Sequence, residues 1–231
     1  MPNAVNFLEL IGGGRVPVVL VGTWLVMAIL LIFALVARAA IMRAADPLLP
    51  DEGTNLRAVA ESAVEWFSGL AQEVTGIHES KKLVPFFGSL FFFILFANLL
   101  GLIPGMEPPT SDSDLTFALG IISFIYFIVF GVRANGALGY LKTFLGPLAL
   151  LAPLMLPLEL VSHLFRPFTL GMRLGANMLA DHMVLGMFTS LTKIGIPLAF
   201  YALGSIVCVV QALVFVILSM SYVRLAVSHD H

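Results

Sequence analysis

Residues 144–188 read FLGPLALLAPLMLPLELVSHLFRPFTLGMRLGANMLADHMVLGMF. The run exceeds the roughly 20 apolar residues that one upright membrane crossing needs, and a few ionisable side chains interrupt it. Placed on a helix at about 100° per residue, Glu159, Ser162, His163, Arg166, Thr169, Asn177 and Asp181 share a sector of about 120° with Arg173. His182 points to the opposite side. The pattern predicts one polar stripe along an otherwise lipid-compatible helix, about 33 Å from Glu159 to Asp181 at 1.5 Å per residue.

A charge at the centre of a spanning helix costs roughly 2.5–3.5 kcal/mol on insertion scales, and such groups face protein or water where they persist. Glu159, Arg166 and Asp181 admit a plainer reading as structural ion pairs or as groups that reach the headgroups from helix ends. Arg173 differs, because no carboxylate stands three or four residues away and apolar residues flank it. Unless a distant part of the chain supplies its partner, another subunit must.

Composition sets the class. The chain has 231 residues, 59% hydrophobic and only 11% charged, where soluble domains carry about 25% charged residues. Its mean hydropathy is +1.01. Twelve Lys and Arg against fourteen Asp and Glu leave a net charge of -2, so no basic field exists for nucleic acid. A lone cysteine, Cys208, excludes a disulfide framework and a Cys-based metal cluster. A polytopic membrane protein remains.

Working outward, Val16 to Ala37, Leu83 to Ile103 and Leu115 to Val132 are uncharged and apolar. They predict a transmembrane helix at 16–38 and a transmembrane hairpin at 83–103 and 115–133. The first run is too long for the core of a cleaved signal. Between them, Leu56, Val59, Ala63, Phe67, Leu70, Val74 and Ile77 recur at steps of three and four, with Arg57, Glu61, Glu65, Gln72 and Glu73 on other faces. That is an amphipathic interfacial helix over 54–75, started by Asp51 or Thr54 and stopped near Gly76. Lys and Arg placement orients the chain. Arg38, Arg43, Arg57, Lys81 and Lys82 mark 38–82 as inside, Arg133 and Lys142 mark 133–143 as inside, and the acidic loop 104–114 and the N-terminus fall outside. A last apolar stretch, Ile196 to Val227, begins near Pro197 and carries no charge before Arg224. Gln211 is its most polar central residue, suited to an interhelical hydrogen bond or to a functional role.

The segment Arg173-Leu174-Gly175-Ala176-Asn177-Met178, preceded by Glu159 and followed by Gln211-Ala212, resembles the a subunit of the F-type ATP synthase, the membrane stator. Asn98-Leu99-Leu100-Gly101-Leu102-Ile103-Pro104 is similar to that family's turn after its first hairpin helix. The resemblance implies an all-α polytopic membrane fold in one membrane domain over 1–231. Its last two helices, at 147–191 and 196–227, would form a long, strongly tilted hairpin facing a rotor ring. It also implies a non-catalytic, ion-translocating subunit of a bacterial plasma membrane complex, rather than an organellar one. Its partners would be a ring of c subunits, peripheral stalk b subunits and lipid, with H+ as the coupling ion and Na+ as the alternative, and no cofactor. Two offset half-channels would lead to the rotor carboxylates. Arg173 would ionise each carboxylate as it passes and block direct leak between the half-channels.

In the same resemblance, Asn177 orients or hydrates the arginine region, while Glu159, Asp181, His182 and Gln211 line the outside-facing path. Where some relatives carry an ionisable residue seven positions before the final-helix glutamine, this chain has Gly204, so Asp181 or His182 supplies the protonation group. His163, Ser162, Thr169 and Arg166 are lesser candidates, and Ser162 and Thr169 also suit bonds to helix carbonyls. A self-contained channel or secondary transporter is the alternative. It would need an internal partner for Arg173 and repeat symmetry, which the sequence does not display. An intramembrane enzyme lacks support, since neither HExxH nor GxSxG occurs.

Overall fold

The computed structural model describes residues 7–8, 17–42, 56–76, 80–143, 152–191 and 195–227. Among them the chain is all-α. Six long helices follow in order: α1 (Val18–Met42), α2 (Leu56–Thr75), α3 (Val84–Leu100), α4 (Ser113–Thr143), α5 (Ala152–Leu191) and α6 (Gly195–Val227). Short 3-10 turns cover Ser80–Lys82 and Pro109–Ser111. By length and composition α1, α4 up to Gly136, and α6 from Pro197 can each cross a membrane, and α3 is a shorter apolar helix. The proposed starters of α2, Asp51 and Thr54, and its last apolar position, Ile77, lie outside the described residues.

Phenylalanine and β-branched side chains build the centre. Phe67 of α2, Phe87 and Ile94 of α3, Phe127 of α4, Leu174 and Met178 of α5, and Phe215, Val216 and Met220 of α6 are all essentially buried in one cluster. Tyr126 stacks on Phe86 with centroids 3.8 Å apart, fixing α4 against α3. Helix α1 is peripheral: 17% of its most apolar stretch is buried, against 44% for α6. Trp24, Met27, Leu31, Ile32 and Leu35 stand exposed along it. An apolar face of that extent is stable in lipid and would be an aggregation site in water.

Two local features depart from the simple periodic reading. In α2 the buried line passes through Phe67 and Ala71, leaving Val59 56% exposed, while Arg57 is only 7% exposed. Arg57 can sit there because its Nε donates to Glu61 Oε1 at 2.6 Å, one turn on. In α4 the helix breaks at Gly136, whose φ of 73° lies in the left-handed region that glycine adopts without a Cβ clash. The residue before the break is tied to α6, for Asn135 Nδ2 donates to Ala226 O at 2.7 Å. That bond caps one of the free carbonyls at the end of α6.

The acidic loop between α3 and α4 is built from prolines seated on glycines. A Cβ at Gly101 would stand 2.7 Å from Pro108 carbons, and one at Gly22 of α1 would stand 2.9 Å from Pro109 Cγ. Asp112 then starts α4, its Oδ1 accepting the Asp114 N–H at 2.8 Å as an N-cap. Helix α6 begins at Gly195, so Pro197 lies inside the first turn, where its missing N–H leaves no helical bond unmade.

Candidate functional site

The site is organised by a close approach of α4 and α5. A Cβ at Gly120 would lie 2.6 Å from Pro167 O, one at Gly171 2.9 Å from Thr116 O, and one at Gly175 2.9 Å from Thr116 Oγ1. At Gly120 and Gly171 the two backbones therefore come close together, and at Gly175 the Thr116 side chain rests on the α5 backbone. Gly171 and Gly175 stand four apart on one face of α5, and Arg173, midway, is about 200° from each. Packing the glycines against α4 turns Arg173 out of the subunit. Its side chain is exposed and makes no hydrogen bond or ion pair among the described residues.

One turn beyond Arg173, Asn177 Nδ2 donates to Gln211 Oε1 at 2.9 Å, joining α5 to α6. Gln211 is 6% exposed, so its amide comes from the buried side of the boundary, and Asn177 from the exposed side. The result is an exposed guanidinium with no partner among the described residues, beside a fixed amide bridge. A model of the ATP synthase A chain family matches residues 20–224. The chain belongs to that family.

Proteins named ATP synthase subunit a are its relatives. That of Bdellovibrio bacteriovorus is 49% identical over 195 residues, covering 84% of this chain and 85% of the relative. That of Solibacter usitatus is 42% identical, covering 89% and 87%. That of Oleidesulfovibrio alaskensis is 34% identical and covers 100% of this chain and 98% of its own length.

The other ionisable residues of α5 fall into two groups. Glu159 Oε1 lies 3.4 Å from His163 Nδ1 and 3.7 Å from Arg166 Nη2. Arg166 also places its guanidinium carbon 5.2 Å from the Tyr222 ring centroid, a cation–π arrangement onto α6. His163 is buried beside Phe127, with ring centroids 5.7 Å apart. A crevice of ≈ 10 Å³ adjoins Arg166 between Gly120, Ser123, Phe127 and Tyr222, about the room of one water.

The second group lies past Arg173. Asp181 faces Gly204 of α6, where a Cβ would stand 3.1 Å from Oδ2 and 3.0 Å from Leu102 Cδ2. The absence of a side chain at 204 leaves the space that the carboxylate occupies. His182 is half-buried on the other side of α5, and its Nδ1 is buried with no hydrogen-bond partner among the described residues.

Along α5, Glu159 precedes Arg173 by about 21 Å of helix and Asp181 follows it by about 12 Å, so Arg173 stands between them. Angular projection collapses the helix onto a circle and hides that order. Of the two hydroxyls, Thr169 Oγ1 donates to Arg166 O at 3.1 Å, the local backbone bond. Ser162 is exposed on the outer face of α5.

Gly171-x-x-x-Gly175 is a small-residue spacing that brings membrane helices together. Thr116 and Gly120, their counterparts on α4, repeat the same four-residue spacing of small residues. Asn98, the first residue of the turn motif, and Thr110 carry no signal of a contact with each other. Both are buried and bonded to each other.

Proposed function

We propose that this chain is the ion-translocating stator subunit of an F-type ATP synthase, carrying protons between two half-channels and a rotor. The observation that carries the reading is Arg173, exposed on the outer side of α5 with no partner among the described residues. Its counter-charge is a carboxylate presented in mid-membrane by each subunit of a c ring. That carboxylate is neutral while it faces lipid, because a bare charge there is poorly solvated. Beside Arg173 it ionises, since the guanidinium stays charged and offers a planar fork to two carboxylate oxygens. The proton leaves on one side of Arg173 and the next enters on the other. Fixed positive charge between the routes opposes a direct hop, so proton flow requires rotation.

Charge placement in the loops puts the start of α5 inside. The inward route then runs past Glu159, His163, Arg166 and Ser162, and the outward route past Asp181, with His182 close by. Asn177 and Gln211 hold α5 and α6 together where the two routes are separated. A potential of 100 mV supplies about 2.3 kcal/mol per proton, so several protons together drive one ATP synthesis at the catalytic head. The chain itself does no chemistry on nucleotide. Peripheral stalk b subunits hold it static against the ring, and its α5–α6 hairpin lies tilted along it, in a bacterial plasma membrane with the N-terminus outside.

The test uses inverted vesicles containing the assembled complex. Arg173→Ala abolishes ATP-driven proton pumping while the complex assembles normally; undiminished pumping overturns the proposal. Arg173→Lys also pumps poorly, since an ammonium is a compact point charge without the fork.

A further inference from the structure

Helices α3 and α6 and the acidic loop meet at a buried polar contact one turn of α6 before Gln211. Asn98, near the end of α3, is 1% exposed, and Thr110, in the turn before α4, is 0% exposed. Thr110 Oγ1 donates to Asn98 Oδ1 at 2.6 Å, and Asn98 Nδ2 donates to Cys208 O of α6 at 3.4 Å. The direction is chemically forced. A main-chain carbonyl only accepts, so the amide nitrogen must face Cys208; the opposite flip would set two carbonyl oxygens against each other. The amide oxygen is thereby left facing Thr110, whose hydroxyl must donate. Cys208 O has two lone pairs, so it serves its own helix and Asn98 together.

Gln211 lies three residues beyond Cys208, one turn along α6, and its Oε1 receives the Asn177 amide at 2.9 Å. The apolar contacts of α6, through Ala212, Phe215 and Val216, are non-directional and leave its axial height weakly fixed. The Asn98 contact is directional. We infer that Asn98, oriented by Thr110, is a positioning residue that sets the height of α6 and so places Gln211 against Asn177 beside Arg173. It acts through α6 and does not touch the translocated ion. The inference rests on the proposed function only for its activity readout.

Its structural readout is independent of pumping, because Cys208 is the one cysteine of the chain. Cysteine labelled with ¹³C at the carbonyl, in a complex whose other subunits lack cysteine, gives a single-site amide I band from Cys208. Asn98→Leu, close to isosteric, removes the second hydrogen bond and shifts that band to higher wavenumber. Thr110→Val leaves the amide unoriented and shifts it less. In assembled complexes, ATP-driven pumping falls in the same order. The fall reaches at least about tenfold for Asn98→Leu, since a 1 Å misplacement of reacting groups can cost on the order of 100-fold. If Asn98→Leu does not assemble, Thr110→Val decides by the same pair of readings. An unmoved band, or a moved band with parental pumping, overturns the inference. Either result leaves the Arg173 proposal standing, which falls only if Arg173→Ala pumps.

Discussion

Gly120→Ala tests the packing that aims Arg173 outward. The new methyl carbon would stand 2.6 Å from Pro167 O. Comfortable carbon–oxygen contacts fall at about 3.3–3.6 Å, so α4 and α5 must separate by roughly 0.7–1.0 Å at this point. No rotamer change relieves the clash, since one partner is backbone and the other has no rotatable bond. Overpacking of this kind costs about 1–3 kcal/mol. Pro167 precedes Arg173 by less than two turns of α5, so much of the displacement reaches the guanidinium. Heat inactivation of the assembled complex should occur at lower temperature, and ATP-driven pumping should fall by roughly 10- to 100-fold, the scale of a 1 Å misplacement. Gly69→Ala is the control. Nothing lies within 4 Å of that Cβ, and alanine in a helix gains about 0.5–1 kcal/mol over glycine. Parental heat resistance and pumping in Gly120→Ala would refute the argument that backbone contact holds α5.

Three further outcomes follow from the same geometry. In a double-mutant cycle on Asn177→Leu and Gln211→Leu, read as heat resistance of the complex, the coupling should be about 0.6–1.7 kcal/mol, the range for interhelical hydrogen bonds in membranes; additive losses would mean the amides do not meet. Gly204→Leu should displace Asp181 and impair pumping, with Gly204→Ala much milder because its near neighbours are flexible side-chain ends; equal pumping in both variants would contradict Asp181 occupying that space. In a Cys208→Ala background, Ser162→Cys should react with an impermeant thiol reagent from the inner side and Asp181→Cys from the outer side. Reaction of both from one side would contradict the division of the stripe by Arg173.

The parts of the fold that were legible in sequence are those where a single helix meets a single solvent. The apolar runs leading into α1, α3, α4 and α6 carry their own evidence, because lipid demands unbroken stretches of apolar side chains. Arg57 and Val59 show where that logic ends. Their places in α2 are exchanged relative to polarity, and the exchange depends on Glu61 one turn away and on which neighbours α2 meets. The polar stripe of α5 was visible as an angle, yet its division was not, because axial order matters only once Arg173 is known to face outward. That direction is set by Gly171 and Gly175, whose role requires Thr116 and Gly120 on another helix. The Asn98–Thr110–Cys208 contact joins residues up to 110 positions apart in sequence, beyond the reach of any periodicity.

The central claim is that Arg173 takes its counter-charge from another polypeptide. A structure of the whole membrane complex measures this directly, as the distance from the Arg173 guanidinium to every carboxylate around it. The account predicts a rotor carboxylate within about 4 Å, the ion-pair distance, in at least one rotational state. Arg173 paired instead with Glu159 or Asp181 of its own chain, or facing lipid in every rotational state, would contradict it.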